Sequence, residues 1–119
     1  MPIPDPVECT HERLDVYRVS IELLAKVVCI TADLPRGHGS IADQFRRAAQ
    51  SIPLNIAEGC GRSGDSDAAR HYAIARGSAL ECAAAVDVIR VLGIVQSDLL
   101  AEVRTLLVRV VQMLSKMCR

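Results

Sequence analysis

The 119-residue chain has no tryptophan, a single phenylalanine and two tyrosines, so its interior must be filled by Ala, Val, Leu and Ile. Small aliphatic residues of that kind suit close helix–helix packing. Net charge is absent too: 14 basic residues balance 14 acidic ones. A strongly basic chain would announce nucleic acid or an anionic membrane surface, and this one does not. No Cys-x-x-Cys pair occurs among the five cysteines at positions 9, 29, 60, 82 and 118. An odd, unpaired set fits a reduced intracellular protein whose thiols serve mainly as small core fillers. No apolar run of 18 residues survives the charges at Asp87 and Arg90, which excludes a membrane-spanning helix. The first residues carry no basic-then-apolar signal segment, so the expected compartment is the cytoplasm.

What is present is a helical pattern in one domain-sized chain. Residues 1–12 hold three prolines and three acids and read as a flexible acidic tail. The bundle is expected over 13–119, with helices at about 15–33, 40–59, 66–92 and 98–118. Asp15, Ser40, Ser66 and Ser97 or Asp98 are the expected caps. The first helix carries two apolar stripes: Leu14, Tyr17, Ile21, Leu24 and Val28, then Val16, Val19, Leu23, Val27 and Ile30. The second buries Ile41, Phe45, Ala48, Ile52 and Ile56. Its Pro53 predicts a kink and not an end, since the apolar period continues beyond it.

The third helix has the cleanest heptad, Ala68, Tyr72, Ala75, Ala79, Cys82, Val86 and Ile89. Its second stripe is Ala73, Gly77, Leu80, Ala84, Val88 and Val91, within which Ala73, Gly77 and Ala84 are small enough for close helix packing. Gly93 is the expected stop. The fourth helix carries Leu99, Val103, Leu106, Val110, Met113 and Met117 on one face and Leu100, Leu107, Val111, Leu114 and Cys118 on another. Short turns rich in Pro and Gly join the four, which predicts an all-α, up-down-up-down antiparallel four-helix bundle. A bundle core requires one stripe per helix. Two stripes on three helices mean either a thick core or self-association, and self-association is the expectation, because a large exposed apolar patch is a liability on a monomer.

Arg47 and Glu58 stand eleven residues apart on the second helix, as do Arg70 and Glu81 on the third. Eleven residues are three turns, which returns each pair to one face. Arg47 with Glu81, and Glu58 with Arg70, are both symmetric about residue 64, inside the intervening turn. Two cross-helix ion pairs are therefore expected, fixing register if buried and contributing about 0–1 kcal/mol each if exposed.

Other chemistry is thinly represented. His11-Glu12 begins a zinc-protease motif, but position 15 is Asp. His11, His38 and His71 share no ligand spacing with the cysteines, so neither a metal nor another cofactor is expected. Gly59-x-Gly61-x-x-Gly64 follows a helix and not a strand, which makes it a turn and not a phosphate cradle. Cys60 within it reads as a packing residue more readily than as a reactive thiol. No nucleophile–base pair is found, so no enzyme is expected. Basic residues gather as Arg36, Arg46, Arg47 and Arg62, and again as Arg104, Arg109, Lys116 and Arg119. Six of these, Arg36, Arg46, Arg62, Arg104, Arg109 and Lys116, make a candidate nucleic-acid face, although a solvated surface balanced by neighbouring acids is the plainer reading.

The run Phe45-Arg46-Arg47-Ala48-Ala49-Gln50-Ser51-Ile52-Pro53-Leu54-Asn55-Ile56-Ala57-Glu58-Gly59-Cys60-Gly61-Arg62, followed by Gly77-Ser78-Ala79-Leu80-Glu81, resembles the four helix bundle protein family. That family includes proteins encoded in intervening sequences of bacterial large-subunit ribosomal RNA genes and accessory proteins of diversity-generating retroelements. The likeness runs from Leu14 onward. It implies a four-helix protomer assembled as a ring-like homopentamer. In retroelement members a basic pentamer binds nucleic acid beside a reverse transcriptase; here the zero charge disfavours that, and Cys60 stands where the family usually has an aromatic. The expected function is a non-enzymatic cytosolic assembly protein, a scaffold or adaptor for an unidentified protein partner. The alternative is a nucleic-acid-binding accessory factor, associated with a reverse transcriptase or structured RNA.

Overall fold

In the computed structural model, residues 11–118 are described, with side chains from Arg13 onward. The acidic tail expected over 1–12 lies outside them, except that His11 and Glu12 already belong to the first helix. The helices are α1 (His11–Ala32), α2 (Gly39–Cys60), α3 (Asp65–Leu92) and α4 (Ser97–Met117). Each packs on its sequence neighbour and α1 closes the circuit on α4, while the backbones of the diagonal pairs α1–α3 and α2–α4 stay apart. Connections of four residues, Gly61–Gly64 and Gly93–Gln96, can reach only about 14 Å. Helices joined so tightly and packed along one another must run antiparallel. The fold is a four-helix bundle.

Every helix starts at or before its expected cap. The residues before α2, α3 and α4 are His38, Gly64 and Gln96, and none makes a side-chain capping bond. Ser40, Ser66, Ser97 and Asp98 lie inside the first turns, and Asp15 lies a full turn inside α1. Asp65, Asp67 and Asp98 instead place negative charge at the positive end of the helix dipole. Gly93 does stop α3. Its φ of 67° is the left-handed turn that glycine adopts without penalty, and its N–H reaches the Ile89 and Arg90 carbonyls. Pro53 does not end α2, which runs unbroken to Cys60.

The core takes one stripe of α1, Val16, Val19, Leu23, Val27 and Ile30, and the Phe45 stripe of α2. The heptad of α3 is buried from Ala68 to Ile89. On α4 both stripes contribute, through Val103, Leu106 and Val110 and through Leu100, Leu107 and Leu114. A fully buried Leu, Ile or Val contributes about 1.5–3 kcal/mol and an exposed ion pair about 0–1 kcal/mol, so the core holds the bundle together.

Candidate functional site

The motif of α2 faces Ser78 and His71 of α3 across the α2–α3 seam, where they build a polar ladder. Ser78 Oγ donates to Ser51 Oγ at 2.8 Å. The Asn55 amide donates to the Ser51 carbonyl at 2.9 Å and to the Ser51 hydroxyl at 3.0 Å. Asn55 Oδ1 lies 3.3 Å from His71 Nδ1, and Arg70 lies 3.3 Å from His71 Nε2. Arg70 can only donate and Asn55 Oδ1 can only accept, so these contacts fit the tautomer with its hydrogen on Nδ1. His71 is buried, and this ladder satisfies it without a metal.

At the closed end of the seam Tyr72 lies against the backbone of Gly59. A Cβ at Gly59 would sit 2.5 Å from Tyr72 Cε1, so only glycine fits there. The Arg13 guanidinium stands 5.3 Å from the centre of the Tyr72 ring, a cation–π distance. Burial pushes the Tyr72 phenol above its usual pKa and Arg13 draws it partly back. The hydroxyl is buried and finds no hydrogen-bond partner among the described residues.

The two expected cross-helix ion pairs do not form. Arg47 pairs with Asp43, Glu58 with Arg62, and Arg70 with Asp67, each within one turn. Glu81 is exposed and makes no ion pair among the described residues. The register behind the expectation is nevertheless close: Ser51–Ser78 and Asn55–His71 are both centred within a residue of position 64. Symmetry about a turn fixes height along the hairpin but not direction around each helix. Arg47, Glu58, Arg70 and Glu81 all point outward, where a partner on the same helix is nearer. Cys60 departs from expectation as well, being disulfide-bonded, whereas Cys29, Cys82 and Cys118 are free thiols. Burial, then Glu81, raises the Cys82 thiol to about 12.

The six residues expected as a nucleic-acid face are not brought together. Arg36 precedes α2 and Arg62 follows it, and a 22-residue helix separates them by about 33 Å. Arg46 is on α2 and Arg104, Arg109 and Lys116 are on α4, the diagonal helix. Arg62 is held by Glu58 and Asp67, and Arg104 by Asp87. Arg109 and Lys116 are exposed on the outward side of α4 and make no ion pair among the described residues.

Ala73, Gly77 and Ala84, expected to pack closely on another helix, are exposed, and a Cβ at Gly77 would meet nothing within 4 Å. No helix among the described residues covers them. Their whole stripe faces outward, with Leu80, Val88 and Val91 exposed alongside and Val91 86% accessible. The other stripe of α1 behaves likewise: Ile21 and Val28 are exposed, with Tyr17 and Leu24 partly so. Between α1 and α4 opens a cleft of about 660 Å³, lined by Glu22, Cys29, Asp33 and Leu99 and crossed by the Lys26–Glu102 pair at 3.3 Å. Among the described residues no cluster of His, Cys, Asp or Glu could hold a metal ion. No helix there is long and apolar enough to cross a membrane.

Sequence reasoning missed the ladder and the Gly59–Tyr72 contact. The signal was available in the polar positions Ser51 and Asn55, which interrupt an apolar helix at a spacing of four, and in Ser78 and His71 opposite. Together these features define a four-helix bundle with a hydrogen-bonded seam between its middle helices and bare apolar faces outside. The chain belongs to the 23S rRNA-intervening sequence protein family, whose model matches residues 12–116. Among curated proteins, none matches it.

Proposed function

We propose that this chain is a non-catalytic assembly protein whose protomers associate through their outer apolar faces into a ring-like homopentamer, serving as a scaffold or adaptor for a protein partner. The observation that carries the reading is the outer face of α3. Over five turns from Ala73 to Val91 its exposed stripe is apolar without interruption. Contiguous apolar surface of this kind marks an interaction site in soluble proteins. The number five comes from the family resemblance. The hydrogen-bonded seam supports the reading by holding α2 and α3 in fixed register, so that the outer face is a rigid docking surface.

A second reading, a nucleic-acid-binding accessory factor, draws on Arg109 and Lys116, the outward cations of α4 that make no ion pair among the described residues. Repeated around a ring, two such charges per protomer would concentrate into a basic band. Sedimentation of the purified chain with and without a structured RNA, over a salt series, separates the readings. A multi-chain species that leaves the RNA free supports the scaffold. RNA co-sedimenting with an affinity that falls steeply with salt transfers support to the second reading. A single-chain mass at micromolar concentration contradicts assembly.

A further inference from the structure

We propose that the cleft between α1 and α4 is a binding site for a small organic cation, an amine carried on an alkyl or aryl body. The site is separate from the outer face of α3 and does not depend on assembly. At about 660 Å³ the cleft has the volume of a small-molecule pocket. Its lining is divided by chemistry. Ile30, Ile94, Val95 and Leu99 give it an apolar floor, of which Ile30 is buried, Ile94 and Val95 are half-buried and Leu99 is exposed. Ile94, Val95 and Gln96 belong to the turn before α4, so they wall the cleft at the end where α1 stops. A partner helix laid along the cleft would meet that wall, whereas a small ligand fits in front of it.

Charge selects the ligand. The charged side chains of the lining are Glu22, Lys26, Asp33 and Glu102. Lys26 is the only cation among them, and it is taken up by Glu102 at 3.3 Å. Glu22 and Asp33 make no ion pair among the described residues, so the lining carries acid in excess. Arg18, Arg36 and Arg109 stand outside the lining, set against Asp15 and Asp98, and none of the three pairs with Glu22 or Asp33 among the described residues. The helix ends act in the same direction. The negative end of the α1 dipole has no basic residue in its last turn, while the positive end of α4 already holds Asp98. A cation on an apolar body meets both parts of the lining at once. An anion of the same shape meets repulsion, and a neutral molecule gains the floor alone.

Cys29 supplies the reporter, because it lies in the lining as an exposed free thiol, while Cys118 is a free thiol outside it. The purified chain is alkylated with N-ethylmaleimide beside n-octylammonium, n-octanol or n-octanoate at equal concentration, and each cysteine is followed by peptide mass. Octylammonium is expected to slow Cys29 several-fold and to leave Cys118 unchanged, with octanol weaker and octanoate without effect. Glu22→Gln combined with Asp33→Asn, both at exposed positions, is expected to keep helical circular dichroism and particle mass. Octylammonium affinity in that variant, read by calorimetry, should fall about tenfold. Equal protection by octanol or octanoate, no protection by octylammonium, slowing at Cys118 as well, or an unchanged affinity in the double variant overturns the proposal. Cys29 protected without ligand, and freed on dilution as the particle mass falls, means that a second copy covers the cleft; this overturns the site and supports assembly. A single-chain particle that still shows the octylammonium protection supports the site and overturns the assembly reading alone.

Discussion

Gly59 and Tyr72 are in contact so close that a single methyl group on the glycine would press into the tyrosine ring, 2.5 Å from Cε1. The contact sits at the closed end of the α2–α3 hairpin, where the glycine of the Asn-Ile-Ala-Glu-Gly run lets the aromatic ring lie against helix backbone. Gly59→Ala improves helix propensity by about 1 kcal/mol, yet overpacking of this kind costs about 1–3 kcal/mol. The net expectation is a lower melting temperature. Gly59→Ala combined with Tyr72→Leu should recover part of the loss, which a thermal melt followed by circular dichroism would read.

Tyr72→Phe should behave in the opposite way. The hydroxyl it removes is buried with no hydrogen-bond partner among the described residues. An unsatisfied buried polar group costs about 1–3 kcal/mol, so its deletion should leave stability unchanged or raise it. Urea unfolding at neutral pH checks this, and a clear loss would mean that the hydroxyl is bonded.

Glu58→Gln should alter stability by less than about 0.5 kcal/mol, because Glu58 and Arg62 form an exposed pair within one helix. Asn55→Ala should cost about 1–3 kcal/mol, since it strips the partner from buried His71 and breaks the link to Ser51. Measured side by side, these variants separate the outward charges from the inward ladder. The two effects reversed in size would restore the cross-helix ion pairs.

That contrast also shows what could be read from the residues beforehand. Helix number, the turns and the α3 heptad follow from apolar period and Gly/Pro placement, which are local. The hairpin register was legible too, since the observed Ser51–Ser78 contact agrees with it. Direction was not. Nothing in the spacing of Arg47 and Glu81 tells whether two side chains at one height point toward each other or outward. The same ambiguity left the core stripe of α1 open between Leu14-to-Val28 and Val16-to-Ile30, because choosing between them requires knowing where α2 and α4 stand. The candidate basic face failed for a related reason, since residues close in sequence at the two ends of α2 lie a helix length apart.

Alkaline pH should destabilise the bundle. The Cys82 thiol titrates at about 12 in the folded chain against 9.0 for the unperturbed group, because burial disfavours the thiolate. Below pH 9 it is protonated in both states and contributes no pH dependence. Above pH 9 the unfolded chain releases this proton first, so stability falls as pH rises toward 12. Burial of Tyr72 acts in the same direction above pH 10. Urea titrations between pH 8 and 11 should show the decline, and Cys82→Ala should flatten it.

The number of chains in the wild-type particle bears most directly on all of this. Native mass spectrometry at micromolar concentration should find a dominant species of five chains, held by apolar faces that the isolated bundle leaves bare. A dominant single chain under the same conditions would contradict assembly and leave the outer stripes of α1 and α3 without the role given them here.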